Sequence, residues 1–123
     1  MAYACREMRN TWSSQPSTNI PLLQENVRKL RIGGATVNQI PFDWANNSAN
    51  ILEAIREARS QKVNILCLPE LCITGYGCED LFLSEWLPAR AWKELNYIKG
   101  FCENITVSVG LPLRIDNITY NGA

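Results

Sequence analysis

The chain has 123 residues, 46% hydrophobic and 20% charged, and its 12 basic and 12 acidic side chains give a formal net charge of zero. This composition is typical of one globular domain. Balanced charge provides no field to attract nucleic acid or an anionic membrane, so neither is an expected partner. No apolar run approaches the roughly 20 residues that a membrane span requires, and a cytoplasmic protein is predicted.

The cysteines argue against a metal site. The chain has five cysteines and no histidine, and none of the cysteines forms a CxxC pair. Zinc sites usually draw on closely paired cysteines or on histidine, so no metal site is predicted. The odd number of cysteines indicates reduced, mostly buried thiols in a cytosolic protein.

Residues 1–29 are predicted to form a loosely ordered leader. Residues 10–19 are polar, rich in turn-forming side chains and without helical or strand periodicity. From residue 30 the pattern changes, and a first strand is predicted over residues 31–39. A helix follows over about 44–60, because Asp43 can cap its first turn and apolar residues recur at helical spacing. These apolar residues are Ile51, Leu52, Ile55 and Ala58.

Further strands and one more helix are predicted after this helix. Residues 63–68 are almost wholly apolar, which indicates an interior strand of a sheet covered on both faces. After a loop with two glycines, a second helix is expected over about 85–103. In it, Trp86 and Trp92 would either form a partner-binding face or, more often for such residues, pack the helix onto the sheet. Strands over 105–111, ended by Pro112, and from 118 onward complete an α/β layered fold with partly parallel pairing.

Glu70 is the residue that most suggests chemistry. It follows the predicted strand 63–68, and ligands of open α/β sheets bind at the carboxyl ends of the strands. A carboxylate held there in partly apolar surroundings can act as a general base. The residues alone leave a structural role open, in which Glu70 caps backbone amides of the following loop or pairs with an arginine.

Five motifs in the right order resemble the nitrilase superfamily of carbon-nitrogen hydrolases. The Pro-Glu segment and the Thr-Gly-Tyr segment after it are similar to the first catalytic motif of the superfamily. The loop that follows is similar to its form in the glutaminase domains of glutamine-dependent NAD synthetases. The matching segments are residues 33–39 with Asp43-Trp44 and Asn47, Leu68-Pro69-Glu70-Leu71 with Thr74-Gly75-Tyr76, residues 77–82, residues 107–112, and Tyr120-Asn121.

The resemblance implies that residues 30–123 form the N-terminal portion of a nitrilase-like αββα sandwich. It also implies a Glu-Lys-Cys triad, in which the cysteine attacks the amide carbon of glutamine. The glutamate takes the thiol proton and the lysine stabilises the oxyanion. In this sequence Glu70 corresponds to the glutamate, and Tyr76 would line the glutamine pocket. The family's lysine and cysteine lie beyond Tyr120-Asn121, so the chain alone is expected to be inactive.

The function implied by the resemblance is that of a glutaminase. It would supply ammonia from glutamine for the ATP-dependent amidation of nicotinic acid adenine dinucleotide. This segment is expected to hold no cofactor, since ATP and magnesium belong to the synthetase domain, and the complete enzyme is expected to be a homo-oligomer. Two alternatives stay open: part of another carbon-nitrogen hydrolase such as an amidase, and a non-catalytic remnant or interaction module. Genomic sequence after Ala123 would separate a continuing enzyme from a remnant.

Overall fold

The computed structural model describes residues 3–7 and 29–123, which form a four-stranded sheet, two helices and a separate hairpin. In the sheet, the strands lie in the order β1-β2-β3-β4, and the hairpin consists of β5 and β6. A short 3-10 helix, Glu79–Leu83, precedes the second α-helix. The strands are β1 (Tyr3–Glu7), β2 (Arg31–Ala35), β3 (Ile65–Cys67), β4 (Thr106–Ser108), β5 (Leu111–Ile115) and β6 (Ile118–Gly122), and the helices are α1 (Trp44–Ser60) and α2 (Trp86–Lys99).

The centre of the sheet is parallel. β2 pairs with β3, and β3 with β4, so that Gly33, Leu66 and Val107 are aligned across the three strands. Leu66 is buried in the core that the sheet shares with α1 and α2, and Val107 packs against that core. The α/β prediction with partly parallel pairing is therefore confirmed. Parallel pairing also brings the carboxyl ends of β3 and β4 to the same edge of the sheet.

β1 is a strand that the sequence does not predict. It runs antiparallel to β2, from Tyr3 opposite Ala35 to Glu7 opposite Arg31, and it lies within the stretch predicted to be a loosely ordered leader. Residues 1–2 and 8–28 of that stretch lie outside the described residues. A strand edge offers unpaired backbone groups to any nearby segment, which local sequence patterns do not reveal.

Helix α1 has the predicted bounds. The Asp43 side chain caps it by accepting a hydrogen bond from the Asn46 N–H at 3.3 Å. Ile51, Ile55 and Ala58 are buried as predicted, and Leu52 is partly buried. The prediction from capping and periodicity is confirmed.

Helix α2 is shorter than predicted, and its tryptophans do not pack it onto the sheet. It buries Leu87, Ala91 and Ile98, which recur at helical spacing. Trp86 and Trp92 lie off that stripe and are 49% and 52% exposed. The core-packing expectation for these two residues is wrong. Among the described residues, no helix combines the length and apolar character that a bilayer span requires.

Three strand predictions also need correction. β2 ends at Ala35, before the predicted residue 39. Leu66 is buried but Cys67 is exposed, so β3 is not covered on both faces at Cys67. The predicted strand 105–111 is divided, since β4 ends at Ser108 and β5 begins at Leu111. Pro112 lies inside β5 instead of ending a strand, which the edge position of a two-stranded hairpin tolerates.

Candidate active site

The loop after β3, residues 68–78, is here called the glutamate loop. Its backbone is fastened to the last residue of β4 and to the chain just after it. The Leu68 N–H donates to the Ser108 carbonyl at 3.0 Å, and the Ile73 N–H donates to the Gly110 carbonyl at 3.3 Å. These two bonds hold the ends of the Glu70 turn at the carboxyl edge of the parallel strands.

Gly110 brings the backbone of the next segment against this turn. A Cβ atom at Gly110 would lie 2.5 Å from the Pro69 oxygen, 2.5 Å from the Leu71 nitrogen and 2.7 Å from the Glu70 Cα. Such distances leave no space for a side chain, so the close approach requires glycine. The position of the Glu70 backbone therefore depends on a glycine 40 positions later in the chain. The sequence pattern marks this glycine only as a member of the motif 107–112.

Two amide side chains fasten the glutamate loop to the segment after β2. The buried Asn47 side chain accepts from the Ile40 N–H at 3.0 Å and donates to the carbonyls of Ile40 and Ile73, at 2.7 and 3.3 Å. Gln39 Nε2 donates to the Cys72 carbonyl at 2.5 Å. Gln39 and Asn47 lie within the motif that resembles the family, but the sequence alone assigns neither a role.

Glu70 is held by two side chains. The Tyr76 hydroxyl donates to Glu70 Oε2 at 3.1 Å, and Asn121 Nδ2 donates to Glu70 Oε1. The structure thus brings together both residues that the resemblance implies, Glu70 and Tyr76, and adds Asn121. Neither a backbone amide nor an arginine is among the hydrogen-bond partners of Glu70 in the described part of the chain, in contrast to the structural alternative.

Glu70 is exposed, not in the partly apolar surroundings expected from the sequence. Tyr76 is 61% exposed, so both side chains are accessible to a ligand. Partial desolvation, the hydrogen bond to Glu70 and the Glu70 charge together raise the pKa of Tyr76 above its ordinary value. The phenol therefore stays protonated near neutral pH and serves as a hydrogen-bond donor to the carboxylate.

Three of the four described cysteines lack the character of a thiol nucleophile. Burial raises the pKa of Cys72 to about 11, although its thiol lies 3.7 Å from the Gly110 carbonyl. Burial also raises the pKa values of Cys78 and Cys102. Nucleophilic attack needs the thiolate, which these groups do not form near neutral pH. All four described thiols are free, and Cys67 is exposed. Two of the four are buried, whereas the sequence predicts that most of the thiols are.

The described residues do not gather a set of metal ligands, near the glutamate loop or elsewhere. Within the described ranges, no group of three or more histidine, cysteine, aspartate or glutamate side chains could hold a metal ion. The chemistry available at this edge of the sheet is thus that of an accessible carboxylate with two hydrogen-bond donors.

A carboxylate after the central parallel strand, on a loop fastened to the next strand, is the arrangement that the resemblance to carbon-nitrogen hydrolases implies. The model of the carbon-nitrogen hydrolase family matches residues 31–123, and the chain belongs to this family. The predicted nitrilase-like fold is confirmed by this match.

The individual proteins to which the chain is similar indicate a narrower class within the family. The chain is similar to the glutamine-dependent NAD(+) synthetases of Oryza sativa subsp. indica, at 36% identity over 97 residues, and of Arabidopsis thaliana, at 37% over 98 residues. Each alignment covers 77% of this chain and 13% of the relative. Among solved structures, the glutamine-dependent NAD(+) synthetase from Cytophaga hutchinsonii matches with 62% identity and a TM-score of 0.73, covering 75% of this chain and 16% of that one.

Proposed function

We propose that this chain is the N-terminal glutaminase portion of a glutamine-dependent NAD synthetase and that Glu70 is its general base. The observation that carries the proposal is the pair of hydrogen bonds that hold both oxygens of Glu70 at the carboxyl edge of β3. The similarity to synthetases from plants and from a bacterium supports the choice of glutamine over other amides.

In the proposed reaction, Glu70 removes the proton from the thiol of the family's catalytic cysteine. The thiolate then attacks the amide carbon of glutamine, and the family's lysine stabilises the oxyanion. Protonated Glu70 returns the proton to the nitrogen, which leaves as ammonia, and water then hydrolyses the resulting thioester to release glutamate and regenerate the thiol. Tyr76 has two tasks in this scheme: its hydroxyl orients Glu70, and its exposed ring lines the glutamine pocket.

The ammonia would be used by the synthetase domain for the ATP- and magnesium-dependent amidation of nicotinic acid adenine dinucleotide. The glutaminase portion needs no cofactor for its own step. A cytoplasmic location is part of the proposal, supported by the four free thiols among the described residues, which suit a reducing compartment. The homo-oligomeric state of the complete enzyme stays a prediction from the resemblance.

The 123-residue chain by itself is proposed not to hydrolyse glutamine. Buried thiols with raised pKa values, as at Cys72, do not replace the family's nucleophile. Purified chain incubated with glutamine should therefore release no glutamate above the uncatalysed rate. Turnover at an ordinary enzymatic rate would show that the chain holds a complete catalytic site and would overturn this part of the proposal.

The decisive experiment is Glu70→Gln in the complete enzyme. Glutamine retains the size of the side chain but cannot accept a proton, so glutamine-driven synthesis should fall by about two or more orders of magnitude. Synthesis driven by free ammonia bypasses the glutaminase site and should be nearly unchanged. A purely structural Glu70 would instead lower both activities together with the melting temperature. Normal glutamine-driven activity would remove Glu70 from catalysis.

A further inference from the structure

We propose that Asn121 is a positioning residue for Glu70 and fixes the orientation of the carboxylate during glutamine hydrolysis. This inference rests on the proposed function, because it assigns Asn121 a task only if Glu70 is a base. It starts from the hydrogen bond that Asn121 Nδ2 donates to Glu70 Oε1. Nothing in the sequence motif gives Asn121 such a task, since it is matched there only as part of a strand.

The β5–β6 hairpin places Asn121 in a defined register. Ile115 pairs with Ile118, so Asp116 and Asn117 alone form the turn. Both have positive φ, 48° and 63°, as a two-residue type I′ turn requires. This turn fixes Asn121 opposite Pro112. A slip of one residue would direct the neighbouring side chain toward Glu70 instead, so the turn specifies which residue reaches the carboxylate.

The start of the hairpin is fastened to the turn that carries Glu70. β5 begins directly after Gly110, and the space for a Gly110 side chain is filled by the backbone of Pro69, Glu70 and Leu71. Leu111 is buried in the core. The hairpin thus leaves the Glu70 turn through a close backbone contact and returns Asn121 to the same carboxylate, 51 positions along the chain.

The two donors leave Glu70 with one defined orientation. Tyr76 bonds Oε2 and Asn121 bonds Oε1, so rotation of the carboxylate would break both bonds. An asparagine amide carries no ionisable proton, so Asn121 cannot compete with Glu70 for the thiol proton.

The test uses the complete glutamine-dependent enzyme with three substitutions at one position. Asn121→Leu removes the donor at similar size, and glutamine-driven kcat should fall about tenfold, the effect of losing one charge-assisted hydrogen bond. The KM for glutamine and the ammonia-driven activity should change less than twofold by the same reasoning.

The other substitutions separate positioning from bulk. Asn121→Gln keeps the amide and should recover most of the lost activity. Asn121→Asp removes the donor and places a second negative charge beside Glu70, so it should lower glutamine-driven kcat at least as much as Asn121→Leu does. Thr119→Val is the matched control, since Thr119 lies two positions earlier on the same face of β6 and opposite Arg114. It should leave both activities unchanged.

The inference and the proposed function fail in different ways. An unchanged kcat in Asn121→Leu, in an enzyme that Glu70→Gln impairs, would overturn the positioning role alone. If Glu70→Gln has no effect, the proposed function fails, and the positioning role fails with it. Nitrogen-15 labelling of asparagine tests the contact without activity: the resonances of the Asn121 side-chain amide should shift when Glu70 is replaced in Glu70→Gln. Asn121 resonances that Glu70→Gln leaves unchanged would also overturn the inference.

Discussion

The backbone of the glutamate loop and the side chains that it presents are held in opposite ways. The loop backbone is buried around Cys72 and Ile73 and bonded to two neighbouring segments. Glu70 and Tyr76 are exposed, and within the described residues their side-chain hydrogen bonds join them only to each other and to Asn121. Buried bonds cost much stability when they are broken, whereas exposed polar contacts contribute little. The loop therefore sets the position of the site, and its side chains can be altered at small structural cost.

The largest effect is expected from Gly110→Ala. The new Cβ would meet backbone atoms of Pro69 and Leu71 at 2.5 Å, and backbone cannot yield as a flexible side chain does. The free energy of unfolding should fall by about 3 kcal/mol, at the upper end of overpacking costs. Urea unfolding of the purified chain measures this difference.

Gly34→Ala is the matched control for Gly110→Ala. Gly34 also lies at the parallel part of the sheet, but a Cβ there would meet nothing within 4 Å. Its unfolding free energy should stay within about 1 kcal/mol of the unmodified chain, and a small gain is expected from the reduced freedom of the unfolded state. Equal losses in the two variants would show that the Gly110 contact does not support the glutamate loop.

A second, pH-dependent effect should come from Cys72 in the buried backbone region. Burial raises its pKa from an ordinary 9.0 to about 11, so the unfolded chain loses the thiol proton at lower pH than the folded chain. The stabilisation is complete below about pH 9 and is lost as pH rises toward 11, by about 2.7 kcal/mol in total. Urea unfolding between pH 8 and 11 should show this slope.

Cys72→Ala should flatten the slope that Cys72 causes, in addition to a constant loss from the missing side chain. Cys67→Ala retains Cys72 and should therefore retain the slope, which makes it the control from the exposed side of β3. An identical decline in Cys72→Ala and in the unmodified chain would mean that other groups cause the loss at high pH.

The sequence predicts most of the elements because their signals are local. Asp43 and the apolar face of α1 lie within one segment, and so do the short apolar runs that became β3 and β4. The contacts that complete the site link distant segments. Gly110 contacts the Glu70 turn and Asn121 reaches Glu70 only after the strands are arranged, so neither role can be derived from local periodicity.

The errors have the same origin. The tryptophans of α2 were expected to be buried because tryptophan is apolar, but the buried stripe passes through Leu87, Ala91 and Ile98. β3 was expected to be covered on both faces because its residues are apolar, yet Cys67 is exposed in the described structure. Composition shows which residues can be buried, whereas the arrangement of neighbouring elements decides which of them are.

The smallest effect is expected from Tyr76→Phe, which tests the exposed side chains of the glutamate loop. The ring is retained and only the hydroxyl that donates to Glu70 at 3.1 Å is lost. Because this bond is exposed, the unfolding free energy should change by less than about 0.5 kcal/mol. Glutamine hydrolysis by the complete enzyme should fall by about three- to tenfold, less than for Glu70→Gln, because the base remains and only one of its two donors is lost.

Tyr97→Phe supplies the matched control. Tyr97 is 54% exposed on α2 and its ring packs against Phe101 at 5.3 Å, so loss of its hydroxyl should leave both stability and hydrolysis unchanged. Ultraviolet titration adds a direct test of the Glu70–Tyr76 bond. Since the hydrogen bond and the charge of Glu70 help to raise the pKa of Tyr76, Glu70→Gln should lower that pKa toward its ordinary value. A Tyr76 titration unaffected by Glu70→Gln, together with normal hydrolysis in Tyr76→Phe, would mean that the exposed side chains act independently of one another.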